Sequence, residues 1–277
     1  MRRERDQGAG ARLVYPVSLG CAKNRVDLEV MLALLEDKGW RVTTEPAAAE
    51  LLLVNTCGFL TSACQEAVEV ILELAAYKET DPDKKLVVTG CLVQRYQQQL
   101  PPLLPEVDLF LGVNDFPRLP TLLEEGPSLV PGFLSCQEPW RQYQRPWPRR
   151  LTTPFYTAYL KIAEGCSHRC TFCLIPQLRG PYRSRPLATL VAEAKALARQ
   201  GVIELNLVAQ DTMAYGLDLA GRPLLPELLI ALAGIAEIKW LRVLYGHPER
   251  LTPELLAVMA AEPKICPYFD LPIQHVN

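Results

Sequence analysis

Between residues 12 and 125, short apolar runs rich in Val and Leu alternate with longer amphipathic stretches, and after an interruption the alternation resumes. Nothing else in the sequence constrains the fold as much, because strands alternating with helices build parallel sheets covered by helices. The runs 13–19, 51–55, 86–89 and 107–111 read as buried parallel strands. Between them, 26–38 carries apolar residues at 26, 30, 31, 34 and 35 and stops at Gly39, a favourable residue just past a helix end. Ser62 and Gln65 have the spacing of a capping box ahead of a helix through Tyr77. These features predict a doubly wound α/β domain over 12–125, after a disordered tail at 1–11.

Residues 126–153, with Pro, aromatics and Arg but no period, read as a linker. Beyond it, strands are expected at 156–162, 204–208, 240–244 and 268–271, and helices at 188–200, 226–236 and 253–260. Such β/α units predict a partial barrel over 154–277. A chain that is 49% hydrophobic and 22% charged is not disordered over most of its length. A net charge of −2 excludes a nucleic-acid coat protein. No apolar run approaches the ~20 residues that span a bilayer, and the charged first dozen residues carry no secretory core. A cytoplasmic protein without membrane attachment is therefore expected. In that reducing compartment the nine cysteines should be metal ligands or free thiols rather than disulfides.

Three cysteines share an address. Cys21, Cys57 and Cys91 each sit just past the C-terminal end of an expected parallel strand, the edge where open α/β sheets bind ligands. The alternative is three small buried residues at strand ends. A second set is tighter. Cys166, Cys170 and Cys173 form a C-x3-C-x2-C run directly after the first strand of the second stretch. Three thiolates in eight residues can wrap one soft metal centre. Zinc with His168 or His247 as fourth ligand is the rival, but the paired C-x2-C knuckles or later His pair of structural zinc sites are missing.

With the dispersed cysteines upstream of that run, the chain resembles the radical S-adenosylmethionine methylthiotransferase family, and its RimO branch in particular. The stretches that carry the resemblance are Ser18-Leu-Gly-Cys-Ala-Lys-Asn24 with Asp27-Leu-Glu29, Asn55-Thr-Cys-Gly-Phe59, Thr89-Gly-Cys-Leu92 and Gln94-Arg-Tyr96. They continue with Ile162-Ala-Glu-Gly-Cys166 through Arg179-Gly-Pro-Tyr-Arg-Ser-Arg-Pro186, then Gln210-Asp-Thr-Met-Ala-Tyr-Gly216, Tyr245-Gly-His-Pro248 and Asp270-Leu-Pro-Ile-Gln-His275. As an ordered set they cover nearly everything from Val14 onward.

The resemblance implies two [4Fe–4S] clusters, one on Cys166, Cys170 and Cys173 that binds S-adenosylmethionine, and one on Cys21, Cys57 and Cys91 that takes part in sulfur delivery. The implied reaction adds a methylthio group to the β-carbon of an aspartate in a small-subunit ribosomal protein, with an external electron donor. Reductive cleavage of S-adenosylmethionine to a 5′-deoxyadenosyl radical suits that carbon, whose hydrogen no side-chain base can remove. Gln210 and Asp211, then Tyr245, His247 and Gln274, end barrel strands and are expected to contact the cofactor, although Asp211 could instead cap the next helix. No side chain is assigned as catalytic. Cys64, Cys136 and Cys266 read as ordinary thiols, and His168 as solvent-facing. Members of the family continue past Asn277, so the resemblance implies an incomplete barrel, no C-terminal TRAM domain, and a chain inactive by itself.

Charge is uneven. Residues 139–186 carry nine Arg or Lys and one Glu, so the rest of the chain holds −10. With Trp140, Tyr143 and Trp147 interleaved, this stretch reads either as an RNA contact or as a linker pairing with acidic neighbours. Two further readings stay open. One is the sister branch that modifies a tRNA adenosine, where Gln is expected after the first cluster cysteine and Gln-Asn-Val at the second barrel strand; here those positions read Ala22-Lys-Asn24 and Gln210-Asp-Thr212. The other is an iron–sulfur-binding fragment without turnover.

Overall fold

A six-stranded, all-parallel sheet takes up most of the first half of the chain, in the order β2-β1-β3-β4-β5-β6. The structure, a computed structural model, describes residues 12–125, 132–135 and 146–272. Its elements begin with β1 (Leu13–Ser18), α1 (Ala22–Asp37), β2 (Arg41–Val42), β3 (Leu51–Thr56), α2 (Thr61–Thr80) and β4 (Lys85–Gly90). They continue with α3 (Cys91–Tyr96), α4 (Leu100–Leu103), β5 (Leu109–Leu111), α5 (Leu119–Glu124) and β6 (Phe133–Ser135). The chain divides into two compact units, Met1–Leu19 with Met31–Cys136, and Gly20–Val30 with Gln137–Asn277. The start of α1 thus belongs to the second unit.

In the first unit the central strand β3 is buried along its whole length, as a strand covered on both faces must be. Helix α2 buries Cys64, Ala67, Ile71, Leu74 and Ala75, a helical stripe that packs with Leu52, Val54, Leu86, Val88 and Phe110 of the sheet. The expected capping box does not form. The helix starts at Thr61 after an extended Leu60 with no side-chain cap, so Ser62 already lies inside the first turn. The strand order reverses between β1 and β3, a topological switch point of the flavodoxin-like kind.

Part of the stretch expected as a linker is structured. Residues 133–135 pair in parallel with β5, and the Ser135 hydroxyl donates to Asp115 (3.0 Å) and accepts from Arg118 (2.8 Å). A three-residue strand is too short to show a period.

The second unit contains β7 (Thr157–Lys161), β8 (Ala163–Glu164), α6 (Ile175–Arg179), β9 (Arg183–Ser184), α7 (Leu187–Arg199) and β10 (Glu204–Val208). After them come α8 (Leu217–Ala220), α9 (Leu225–Ala233), β11 (Trp240–Val243) and α10 (Pro253–Ala261). Strands β11-β10-β7 form a parallel sheet with β10 central, and α7, α9 and α10 pack on it through Leu190, Leu197, Leu228, Leu232 and Leu255. The expected fourth strand at 268–271 is not one. Ile265 makes an isolated parallel bridge to Leu241, but Pro267 has no N–H to extend the ladder, and the Tyr268 N–H turns back to the Cys266 carbonyl (2.8 Å). No helix among the described residues is long and apolar enough to cross a membrane.

Candidate metal and cofactor centre

The C-x3-C-x2-C run lies in a loop closed at its base. Strands β8 and β9 pair antiparallel, Glu164 opposite Arg183, so residues 165–182 leave and return at one point. Gly165 makes the first bend at φ +80°, where a Cβ would stand 2.2 Å from the Pro181 carbonyl oxygen; only glycine fits. The Cys166 N–H then donates to the Gly180 carbonyl (3.1 Å), and the Cys173 N–H to that of Cys170 (3.1 Å). Cys166 is buried, Cys173 half-buried and Cys170 exposed, and all three are free thiols.

These thiols line one cavity of about 580 Å³ together with Gln210, Asp211, Tyr245 and His247. Four of the five strand-end residues expected at the cofactor are therefore brought to the cysteine loop; Gln274 lies outside the described residues. Asp211 does not use its side chain to cap the following turn. Its Oδ2 instead accepts from Arg250 Nε (2.8 Å) and contacts His168 Nε2 (3.0 Å), while its carbonyl accepts from the Tyr182 hydroxyl (2.9 Å). His168 is accordingly not solvent-facing: it is hydrogen-bonded to Asp211 and its ring stacks on that of His247 with centroids 4.7 Å apart. Tyr245 adopts a left-handed φ of +59°, fixed by its N–H donating to Asp270 Oδ2 (2.9 Å) and its carbonyl accepting from the Thr212 N–H (3.0 Å). The Lys23 ammonium sits 3.3 Å from the centre of the Tyr245 ring, a cation–π contact.

Burial pushes the Cys166 thiol pKa up, with Asp211 adding to the effect and a backbone hydrogen bond from His168 opposing it. Burial and the neighbouring Asp211 raise that of the Tyr182 phenol as well. Gln210 Oε1, Asp211 Oδ1 and His247 Nδ1 are buried with no hydrogen-bond partner among the described residues. Orphaned polar atoms around a cavity suit a polar ligand, and three soft thiol donors suit an iron–sulfur centre.

Sequence reasoning missed a layer of charge beneath this site. Lys161 pairs with Asp27 and with Glu164 (2.9 Å), and Arg179 with Asp27 (3.1 Å) and Glu164 (2.9 Å). Arg179 also donates to Asn24, whose Oδ1 lies 3.6 Å from Cys21 Sγ. A second set joins Arg149 to Glu29 and Glu193 (2.8 Å), and Glu193 to Arg185 (2.6 Å). Each set balances two cations against two carboxylates. Burial alone would raise the Glu164 pKa, but Arg179 and Lys161 outweigh it and hold the carboxyl far below its usual range. Arg149, Lys161, Arg179 and Arg185, four of the basic residues in 139–186, are thereby buried in ion pairs rather than presented to an RNA. The one signal for this layer was the motif Asp27-Leu-Glu29 itself.

In the first unit, Cys57 follows β3 and Cys91 opens α3 after β4, and the strand ends are in register, Thr56 opposite Gly90. The loops touch: a Cβ on Gly58 would stand 2.5 Å from the Cys91 carbonyl oxygen. Cys21 is exposed, three residues past β1, in the segment that belongs to the second unit. Cys64 is on the buried face of α2, Cys266 is half-buried, and Cys136 lies outside the described residues.

Comparison with known proteins gives two domain matches, the uncharacterized protein family UPF0004 over residues 13–112 and the radical SAM superfamily over 160–277. A ribosomal protein uS12 methylthiotransferase RimO from Citrifermentans bemidjiense is 50% identical over 261 residues, covering 94% of this chain and 58% of the relative. One of the same description from Syntrophus aciditrophicus is 49% identical over 267 residues, covering 95% and 59%. The chain thus spans about 58% of the length of these curated relatives. Among solved structures, the radical S-adenosylmethionine methyltransferase TsrM from Kitasatospora setae superposes with a TM-score of 0.66 at 18% identity, over 96% of this chain and 60% of that one, a likeness of fold. The chain is thus similar, in succession, to the uncharacterized protein family UPF0004 over residues 13–112 and to the radical SAM superfamily over residues 160–277.

Proposed function

We propose that the chain forms the cofactor-binding part of a radical S-adenosylmethionine methylthiotransferase that modifies an aspartate of ribosomal protein uS12. The observation that carries this reading is the single cavity lined by Cys166, Cys170 and Cys173 together with Gln210, Asp211, Tyr245 and His247. In this reading the three thiols hold a [4Fe–4S] cluster and the strand-end residues hold S-adenosylmethionine. Bound together, these groups supply one-electron chemistry able to take hydrogen from an unactivated carbon. The protein's part is to fix the loop through Gly165, to orient polar groups around the ligand, and to exclude water. Cys21, Cys57 and Cys91 hold a second cluster, and an electron donor and the ribosomal substrate are the partners.

Two measurements test it. Anaerobic reconstitution should load about eight iron atoms per chain. Replacing Cys166, Cys170 and Cys173 by Ala should remove one half and replacing Cys21, Cys57 and Cys91 the other; stoichiometric zinc without visible absorption would defeat the reading. Because the relatives are longer, the substrate is tested with the chain fused to the remaining length of the Citrifermentans bemidjiense protein. Incubated with ribosomes or with unmodified tRNA, the fusion should add about 46 Da, the exchange of H for SCH3, to uS12 alone. Modified tRNA with unmodified uS12 would assign the chain to the sister branch.

A further inference from the structure

Glu164 divides its two oxygens between two tasks. Oε2 takes both cations, Lys161 and Arg179, at 2.9 Å each. Oε1 accepts from the Gly165 N–H (3.2 Å), at the bend where the cysteine loop begins, and from Gln210 Nε2 (2.7 Å), at the end of β10. The carboxyl is buried, and both of its oxygens already face groups that can only donate, the Gly165 N–H at Oε1 and Lys161 and Arg179 at Oε2, so Oε1 serves as an acceptor. The Gln210 amide must therefore turn its NH2 toward Glu164, which leaves its carbonyl oxygen on the other side. That oxygen, Oε1, is buried without a partner, and Gln210 lines the cavity.

We infer that Glu164 is a positioning residue: clamped by Lys161 and Arg179, it orients the Gln210 amide so that the cavity of the cysteine loop presents a carbonyl acceptor to its ligand. The group that meets Gln210 is then a hydrogen-bond donor, an amine or a hydroxyl, and not a carboxylate. A buried acceptor left unpaired is unfavourable, so a ligand lacking such a donor binds at least about tenfold more weakly. The ion pairs below the cavity are on this view part of its recognition and not only of its stability. The inference deepens the proposed function and rests on it only for the identity of the ligand.

The orientation can be read without any ligand. In protein labelled with 15N, the Gln210 side-chain NH2 signals are identified by their loss in Gln210→Ala. They should lie apart from the other glutamine amides and exchange slowly with water, and in Glu164→Gln they should move into the bulk of those signals. If Glu164→Gln does not fold, Glu164→Asp, which keeps the charge for Lys161 and Arg179 but shortens the reach to Gln210, is read in the same way. Wild-type signals already within the bulk, or signals unmoved by both changes, overturn the inference.

Calorimetric titration with S-adenosylmethionine then asks whether Glu164 acts through Gln210. Glu164→Asp and Gln210→Ala should each weaken binding about tenfold, and the double variant should be no weaker than Gln210→Ala alone. Additive losses overturn the positioning role. Absence of binding by the wild-type chain would count against the proposed function, while the amide signals still decide the role of Glu164.

Discussion

Gly165 illustrates how much of the site hangs on single residues. At φ +80° with no room for a Cβ, it is a position where Ala costs about 1–3 kcal/mol in backbone strain alone, with the clash against Pro181 added. Gly165→Ala should lower the melting temperature and halve the iron taken up on reconstitution, while Gly39→Ala, where nothing lies within 4 Å, should leave iron uptake unchanged. Glu193 is the other telling residue. It sits on the buried face of α7 between Arg149 and Arg185, and breaking such a pair by removing one partner costs about 3–5 kcal/mol. Urea titration of Glu193→Ala should show a loss of that size. Acid acts on the same groups. Burial by itself would raise the pKa values of Glu164 and Glu193, but their cations outweigh it and both are lowered. Their stabilisation is thus fully present above the ordinary carboxylate pKa of about 4.3 and drains as the pH falls below it toward their depressed folded values. Stability of the wild type should fall more steeply between about pH 4.3 and pH 2 than that of Glu193→Ala, measured by urea titration at each pH.

At the scale of elements, α2 shows what a periodic stripe determines. Ile71 is fully buried against the sheet, whereas its neighbour Leu72 is 47% exposed. Ile71→Ala should cost about 2–5 kcal/mol and Leu72→Ala no more than about 0.5 kcal/mol, by denaturant titration; equal losses would contradict the helix face. The strand ends behave alike in both units: β3 and β4 deliver Cys57 and Cys91, β10 delivers Gln210 and Asp211, and β11 is followed by Tyr245 and His247. Residues 268–271 are the counterexample. Their apolar content reads as a strand, yet Pro267 stops the ladder after one bridge, and the segment instead supplies Asp270 to fix Tyr245.

Across the whole molecule, the alternation of strand and helix and the cysteines at strand ends were legible from the sequence, because both are local: a period of two or 3.6 residues, and a loop directly after a strand. Strands β1, β3, β4, β5, β7, β10 and β11 and the cysteine loop follow from that reading. Strand β6 does not, since three residues carry no period, and neither do the ion pairs. Asp27 meets Lys161 across 134 residues and Arg179 across 152, and the motif Asp27-Leu-Glu29, though it marks the position, names neither partner. Likewise a histidine inside a cysteine run reads as exposed until Asp211, 43 residues away, is brought to it. The sequence by itself determined most of the strands and helices and which thiols follow them, because hydrophobic periodicity is written residue by residue. Only the tertiary structure decided which charges are buried together and which way Gln210 faces, because a carboxylate taken out of water is tolerated only where distant cations arrive to meet it.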